Sequence, residues 1–284
     1  NQDGKLEVVA ANKGGENPDL EDAPLNNISI YQLPDDPLDG DGWEELVLTQ
    51  VRIPINSEPI DLDLDGDMDI IVGSRGEQRI LWLENNGDFE FIEHEINFSK
   101  PLEKGSWITG FNMDYADIND DGRLDIVSSV WPSSVYILYQ PSDPNEKWDI
   151  EKVGSIEPDM LVSVALADIN GDGFEDIFSG SYSLGSRDKD DTNDANRSYG
   201  SVVWFENKID SWKKNNILRR KRGMYDKWIP VDLDDDNDID FIGTRGNSEP
   251  YDGVLWLEQL RSNNSETVFF PARMIDSESV PFDD

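Results

Sequence analysis

Short apolar runs alternate with turn residues along the whole chain, and they recur in a fixed order. One kind is a compact run: Ile70–Gly73, Ile126–Ser129, Ile177–Gly180, Phe241–Thr244 and Val8–Ala11. A second kind follows after a variable connection and ends on an acid or amide. Clear copies are Leu81-Trp82-Leu83-Glu84, Val203-Trp204-Phe205-Glu206 and Leu255-Trp256-Leu257-Glu258; weaker ones are Ile137-Leu138-Tyr139-Gln140 and Ser29-Ile30-Tyr31-Gln32. A third kind lies beyond Gly/Asn/Asp turns, at Phe89–Ile96, Trp148–Val153, Trp212–Leu218, Val268–Ile275 and Leu46–Ile53. A fourth, at Met113–Ala116, Val162–Ala167 and Trp228–Val231, leads back to the first. Runs of this length between turn signals predict β-strands. No segment sustains a 3.6-residue apolar period, so helix is expected to be nearly absent. Four short strands per period of roughly fifty to sixty residues predict a radial array, a β-propeller of four-stranded antiparallel blades.

Each compact run is preceded by an acidic loop. In Asp61-Leu62-Asp63-Leu64-Asp65-Gly66-Asp67-Met68-Asp69, carboxylates fall at loop positions 1, 3, 5 and 9, with Gly at position 6. Alternate oxygens converging on one point suit a hard cation such as Ca²⁺, and Gly permits the sharp turn that brings them together. The pattern repeats as Asp117, Asn119, Asp121, Gly122 and Asp125, and as Asp168, Asn170, Asp172, Gly173 and Asp176. A fourth copy is Asp232, Asp234, Asp236, Asn237 and Asp240, with Asn as the residue that best tolerates the left-handed backbone Gly allows. Position 7 is Asp67, Arg123, Phe174 and Asp238 in turn, an indifference expected of a residue that donates its backbone carbonyl. A fifth copy is split across the termini. Asp283 supplies position 1, Asn1 position 3, Asp3 position 5, Lys5 position 7 and Glu7 position 9. About five Ca²⁺ sites are expected. The strand Val280–Phe282 would complete the blade begun at Lys5, closing a five-bladed ring as a single domain over 1–284 and hiding its edges. A fragment of a larger propeller is the competing reading.

Composition narrows the function. The formal net charge is −37, from 61 acidic and 24 basic residues, and metal loops account for only part of the excess. Such a field repels nucleic acid and anionic membranes. There is no cysteine, so disulfides and thiolate metal sites are excluded. No apolar run approaches the roughly 18 residues needed to span a bilayer as a helix. Calcium loops of modest affinity fill where Ca²⁺ is abundant, which points to a secreted, extracellular or periplasmic protein. The single histidine, His94, lies in the alternating run Phe89–Ile96 and is expected to face solvent on an outer strand, which leaves no base for a nucleophilic triad.

The five loops with their following strands, together with Trp82-Leu83-Glu84-Asn85-Asn86-Gly87 and Trp204-Phe205-Glu206-Asn207, resemble the FG-GAP/VCBS repeat family, which includes integrin alpha-chain heads and many secreted bacterial proteins. The resemblance implies a calcium-looped propeller. It departs from the family at Asn237, at Glu7 and in showing five repeats where seven are common. It does not imply one function, because the family contains adhesins, lectin-like modules and sugar lyases or dehydratases.

In a propeller the metal loops share one face. The opposite face receives Lys13, Arg75, Trp131, Tyr182, Arg187 and Arg245, with Trp107, Tyr225 and Lys227 from neighbouring connections. The long connection Ser183–Gly200 belongs there too, and long loops in compact repeats are often functional. Arg presents a planar donor fork to carboxylate or sulfate, and Trp and Tyr stack on sugar faces. The bland reading is that the arginines neutralise nearby aspartates and the aromatics fill the core. Arg75, Trp107, Trp131, Tyr182, Arg187, Tyr225 and Arg245 are the ligand candidates; no catalytic residue is assigned. Arg75 and Arg245 lie in similar sequences, Gly73-Ser74-Arg75-Gly76 and Gly243-Thr244-Arg245-Gly246, and are read as matching points of two blades. The basic run Trp212–Arg222 is read as a salt-bridged patch or a dock for an acidic partner. Three functions compete: a calcium-dependent module binding an acidic glycan or extracellular protein; a lyase or dehydratase on acidic or keto sugars, with Tyr182 or Tyr225 as acid and base; and a scaffold of a larger extracellular assembly.

Overall fold

The computed structural model describes residues 6–13, 23–38, 40–87, 89–182, 200–220, 224–246, 253–261 and 267–274. Among these the regular structure is strand throughout, without a helix. β1 (Glu7–Ala11), β2 (Leu25–Gln32) and β3 (Glu44–Arg52) form a three-stranded sheet in that order. β4 (Pro54–Ile60), β5 (Asp69–Ser74), β6 (Arg79–Asn85) and β7 (Phe91–Glu95) form a four-stranded meander. The same order recurs in β8 (Trp107–Ala116) to β11 (Asp149–Ser155), with β9 (Asp125–Trp131) and β10 (Ser134–Tyr139) between them. It recurs again in β12 (Met160–Ala167), β13 (Asp176–Tyr182), β14 (Gly200–Asn207) and β15 (Trp212–Arg220). The last sheet holds β16 (Trp228–Val231), β17 (Asp240–Arg245), β18 (Gly253–Arg261) and β19 (Thr267–Met274). β1 and β2, β4 and β5, β9 and β10, β12 and β13, and β16 and β17 pair antiparallel.

The chain divides into two compact units: Asn1–Phe111 with Asp120–Leu124 and Tyr139–Ile150, and Asn112–Asn119 with Asp125–Leu138 and Glu151–Asp284. In the first, Ile28, Val51, Ile70, Val72, Leu81 and Leu83 form a buried cluster. In the second, Phe178, Trp204, Trp228, Phe241, Leu255 and Leu257 do so, with Phe178 and Phe241 stacked at 3.7 Å between ring centroids. β5 is buried at every position, which explains its unbroken apolar run, whereas β7 is an outer strand with mixed exposure.

Two details differ from the sequence reading. β8 starts at Trp107, well before Met113, and runs through Gly110 at φ 62. A glycine inside a strand marks close approach of another backbone. A Cβ on Gly73 of β5 would lie 2.4 Å from the Gly110 carbonyl oxygen. His94 does not simply face solvent. Its ring stacks on Trp82 of the neighbouring strand at 4.8 Å, and Nε2 lies 2.7 Å from Glu84 Oε2. The stacked ring hides apolar surface that an outer strand otherwise exposes.

Gly73→Ala should lower stability by about 1–3 kcal/mol, because the added methyl meets backbone that cannot swing away. Gly40→Ala, where nothing lies within 4 Å of the added carbon, should be near neutral. Urea midpoints of the two variants check the contrast.

Candidate metal centres and the opposite strand ends

The four described loops solve the same backbone problem alike. Position 6 is left-handed in all of them: Gly66 at φ 98, Gly122 at 85, Gly173 at 90 and Asn237 at 68. So is position 4: Leu64 at φ 61, Asp120 at 58, Gly171 at 74 and Asp235 at 61. Sequence reading finds position 6 but misses position 4, where three of the four residues have a Cβ. Each of those costs about 1–2 kcal/mol and persists only because the loop's hydrogen bonds impose it.

Those bonds run from backbone N–H groups of the loop to its own carboxylates, to one oxygen of Asp61 and to both of Asp168 and Asp232. At position 1, Asp61 Oδ2 accepts from Gly66 N at 3.1 Å, Asp168 Oδ2 from Gly173 N at 2.9 Å and Asp232 Oδ2 from Asn237 N at 3.1 Å. At position 5, Oδ1 of Asp65, Asp121, Asp172 and Asp236 accepts from the N–H of position 7, namely Asp67, Arg123, Phe174 and Asp238. At position 3, Asp63 and Asn170 accept from position 5. This leaves ligand oxygens of Asp61, Asp63 and Asp65 within 4.8 Å of one another, and likewise Asp232, Asp234 and Asp236. Burial first, and then the neighbouring carboxylates, push Asp63 and Asp234 above the usual range. Asp61 Oδ1 is buried without a hydrogen-bond partner, an uncompensated carboxylate oxygen of the kind a cation satisfies. The donor set therefore fits a hard, oxygen-seeking cation.

Position 9 behaves differently. Asp69 is fully buried and spends both oxygens on backbone: Oδ2 accepts from Leu62 N at 3.1 Å and Oδ1 from Asn85 N at 2.8 Å. Asp176 does the same with Ile169 and Asn207, and Asp240 with Leu233 and Gln259; Asp125 accepts from Ile118. Burial pushes Asp69 up to about 6 and Asp176 up to about 7, against the pull of these N–H donors. The amide ending the second strand completes the brace. Asn85 and Asn207 donate to the position-8 carbonyls of Met68 and Glu175, while the longer Gln140 and Gln259 reach the position-2 carbonyls of Leu62 and Ile169, in loops of other sheets.

The model of the FG-GAP-like repeat matches residues 61–128 and 117–179, which hold the first three of these loops and their strands. That part of the chain is similar to FG-GAP-like repeats. The loop at Asp232 lies outside the matched residues but makes the same bonds. Of the split copy, Glu7 opens β1, and Asn1, Asp3, Lys5 and Asp283 lie outside the described residues. No curated protein matches the chain. Among solved structures, a GH43 β-1,3-galactosidase with galactodeoxynojirimycin is similar at TM-score 0.48 and 11% identity, over 85% of this chain and 84% of that one.

At the far end of the strands from the FG-GAP loops, the ligand candidates fare unequally. Arg75 is exposed on the turn after β5, and Trp107, Trp131 and Tyr182 are half-buried at strand ends. Arg187 lies outside the described residues. Tyr225 is fully buried, with its ring stacked on Trp228 at 5.8 Å, so no ring face is offered to a ligand. Arg245 is buried at 8% exposure. Its likeness to Arg75 is a register error. Counted from the loop aspartates, Asp69 and Asp240, Arg75 is the sixth residue on and Arg245 the fifth, and one residue along a strand exchanges its faces. The basic run is salt-bridged: Arg219 grips buried Asp159 through Nε at 2.8 Å and Nη2 at 2.9 Å, and Lys213 reaches Glu206 at 3.2 Å. Burial pushes Glu206 up, but Lys208 and Lys213 outweigh it and hold the carboxyl below its ordinary value. Lys221 and Arg222 lie outside the described residues.

Two substitutions separate the roles of the loop carboxylates. Asp69→Ala leaves two buried N–H groups without acceptors and should cost about 3 kcal/mol or more in calcium and in chelator alike. Asp65→Ala removes an oxygen from the loop's open side, so most of its cost should disappear in chelator. Asn237→Ala should cost about 1 kcal/mol, and Asn237→Gly should not, read as denaturation midpoints.

Proposed function

We propose that the chain is a calcium-stabilised β-propeller of five blades that serves, without catalysis, to recognise an extracellular glycan or protein. The observation that carries this reading is the division of labour along single strands. β5, β9 and β13 each begin on a loop aspartate, and Arg75, Trp131 or Tyr182 stands at their other end. Metal at one end stiffens the strand, and the other end presents a cation or aromatic ring on that rigid support. The lyase or dehydratase reading loses one of its two proposed tyrosines, since Tyr225 is in the core. A secreted or periplasmic location follows from the calcium requirement.

The same proposal includes closure. β1 pairs with β2, and among the described residues no strand lies on its other side, where each other sheet has the strand that leads into its loop. Val280–Phe282, whose surroundings Ser279–Asp284 resemble Ser57–Leu62, is assigned to that edge.

Calcium should raise the melting temperature and excess chelator should lower it. A site at a hundredfold its Kd adds about 2.7 kcal/mol. Identical melts with and without chelator would overturn the calcium reading. Removal of residues 276–284 should lower the melting temperature in saturating calcium if the terminal strand closes β1. An array of acidic glycans and extracellular proteins should show calcium-dependent binding, without the ultraviolet absorbance of an unsaturated sugar product.

A further inference from the structure

We propose that Arg75 and Trp107 form a subsite for an oxyanion-bearing sugar ring, with Arg75 gripping the carboxylate or sulfate and Trp107 stacking on the ring. The inference rests on the recognition reading above and names a ligand class for one part of that face.

The first observation is electrostatic. In a chain with 61 acidic residues, an arginine is ordinarily neutralised by its neighbours. Arg79 contacts Glu77, Glu93 and Glu95, Arg123 pairs with Asp121, Arg219 with Asp159, and Arg52 donates to the Ala23 carbonyl. Arg245 is buried and engaged. Arg75 alone among the arginines with described side chains makes no ion pair or side-chain hydrogen bond to a described residue, although Glu77 is two residues away. Glu77 is committed instead to Arg79 at 3.0 Å and to Ser74 Oγ at 3.1 Å. The acid nearest to Arg75 in sequence is thus engaged by another cation through its Oε2.

The second observation is rigidity. The turn bearing Arg75 is tied down by its own backbone: Arg75 N donates to Ile53 O and Gly76 N to Arg52 O, both at 3.0 Å, and Ser74 Oγ donates to Arg52 O at 2.9 Å. A Cβ on Gly76 would lie 2.6 Å from Arg52 Cβ. Ile53, buried beneath, holds φ 46, a region that a β-branched residue occupies only under constraint. A fixed turn spares the entropy of ordering it around a ligand.

The third observation places the aromatic partner. β5 and β8 touch backbone to backbone where Gly73 meets Thr109 and Gly110. From that contact Arg75 is two residues on, in the turn that follows β5, and Trp107 is three residues back, at the start of β8. A cationic fork and a half-exposed indole are thereby tethered within three residues of one backbone contact. The guanidinium suits a planar or tetrahedral oxyanion, and the indole suits the apolar face of the ring that carries it.

Calorimetry with three probes tests this: an oligogalacturonate, its neutral methyl ester and a sulfated neutral galactan, each in saturating calcium. The wild type should bind at least one anionic probe, and which one distinguishes carboxylate from sulfate. Arg75→Gln should weaken that binding by about 10- to 100-fold. Trp107→Phe, which keeps an aromatic ring, should weaken it less than Trp107→Ala. Arg79→Gln, which releases Glu77 to face Arg75, should weaken it as well. Melting curves matching wild type show that Arg75→Gln is folded. Binding of the neutral ester as tight as that of the acid, or an Arg75→Gln variant with wild-type affinity, overturns the subsite. So does a wild type that binds neither anionic probe; calcium-dependent binding of another glycan or protein would then leave the broader recognition reading standing.

Discussion

A buried carboxylate at the start of a strand is the constraint on which the described repeats depend. Asp69, Asp176 and Asp240 each sit where loop becomes sheet, and each accepts one N–H from its own loop and one from the end of the second strand. Removing a charge from water is unfavourable unless hydrogen bonds replace the lost solvent, and two backbone donors do so here. The same two bonds fix where the loop leaves the strand. The remaining oxygens at positions 1, 3 and 5 are thereby brought together in advance of any ion, and the left-handed residues at positions 4 and 6 are held in conformations they would not adopt alone.

That arrangement concentrates negative charge at one end of each strand, and it shapes what the other end can do. In a protein of net charge −37, Arg79, Arg123 and Arg219 among the described residues all face carboxylates. Their engagement gives meaning to the exposed Arg75, which the acidic background would otherwise quench. Where a cation is clamped, as Arg219 is by Asp159, it ties strand to connection.

Close packing limits the alternatives further. Gly73 admits Gly110 within van der Waals distance, and Gly243 receives the Trp228 ring on its face. Where strands approach this closely, a side chain on the wrong face has nowhere to go. This is why Tyr225 and Arg245 lie buried although their neighbours in sequence look like surface turns.

The sequence by itself determined the all-strand architecture, the four described acidic loops and the tolerance for Asn at position 6, because these follow from local rules: period-two burial, turn chemistry and the spacing of oxygen ligands. It also marked Arg75 and Trp107 as candidates by residue type. Tertiary structure alone decided the rest. Spacing marks the position-9 aspartates as ligands, and the sheet adds a second role for them, as acceptors for backbone donors from residues as remote as Asn85 and Gln259. The tandem Gly-Ser-Arg-Gly and Gly-Thr-Arg-Gly read as equivalent until register placed them one residue apart. His94 read as solvent-facing until Trp82 and Glu84 were found across the ladder. In each case the deciding contact is between residues distant in sequence, and a side chain's face depends on pairing register, which a local pattern does not encode.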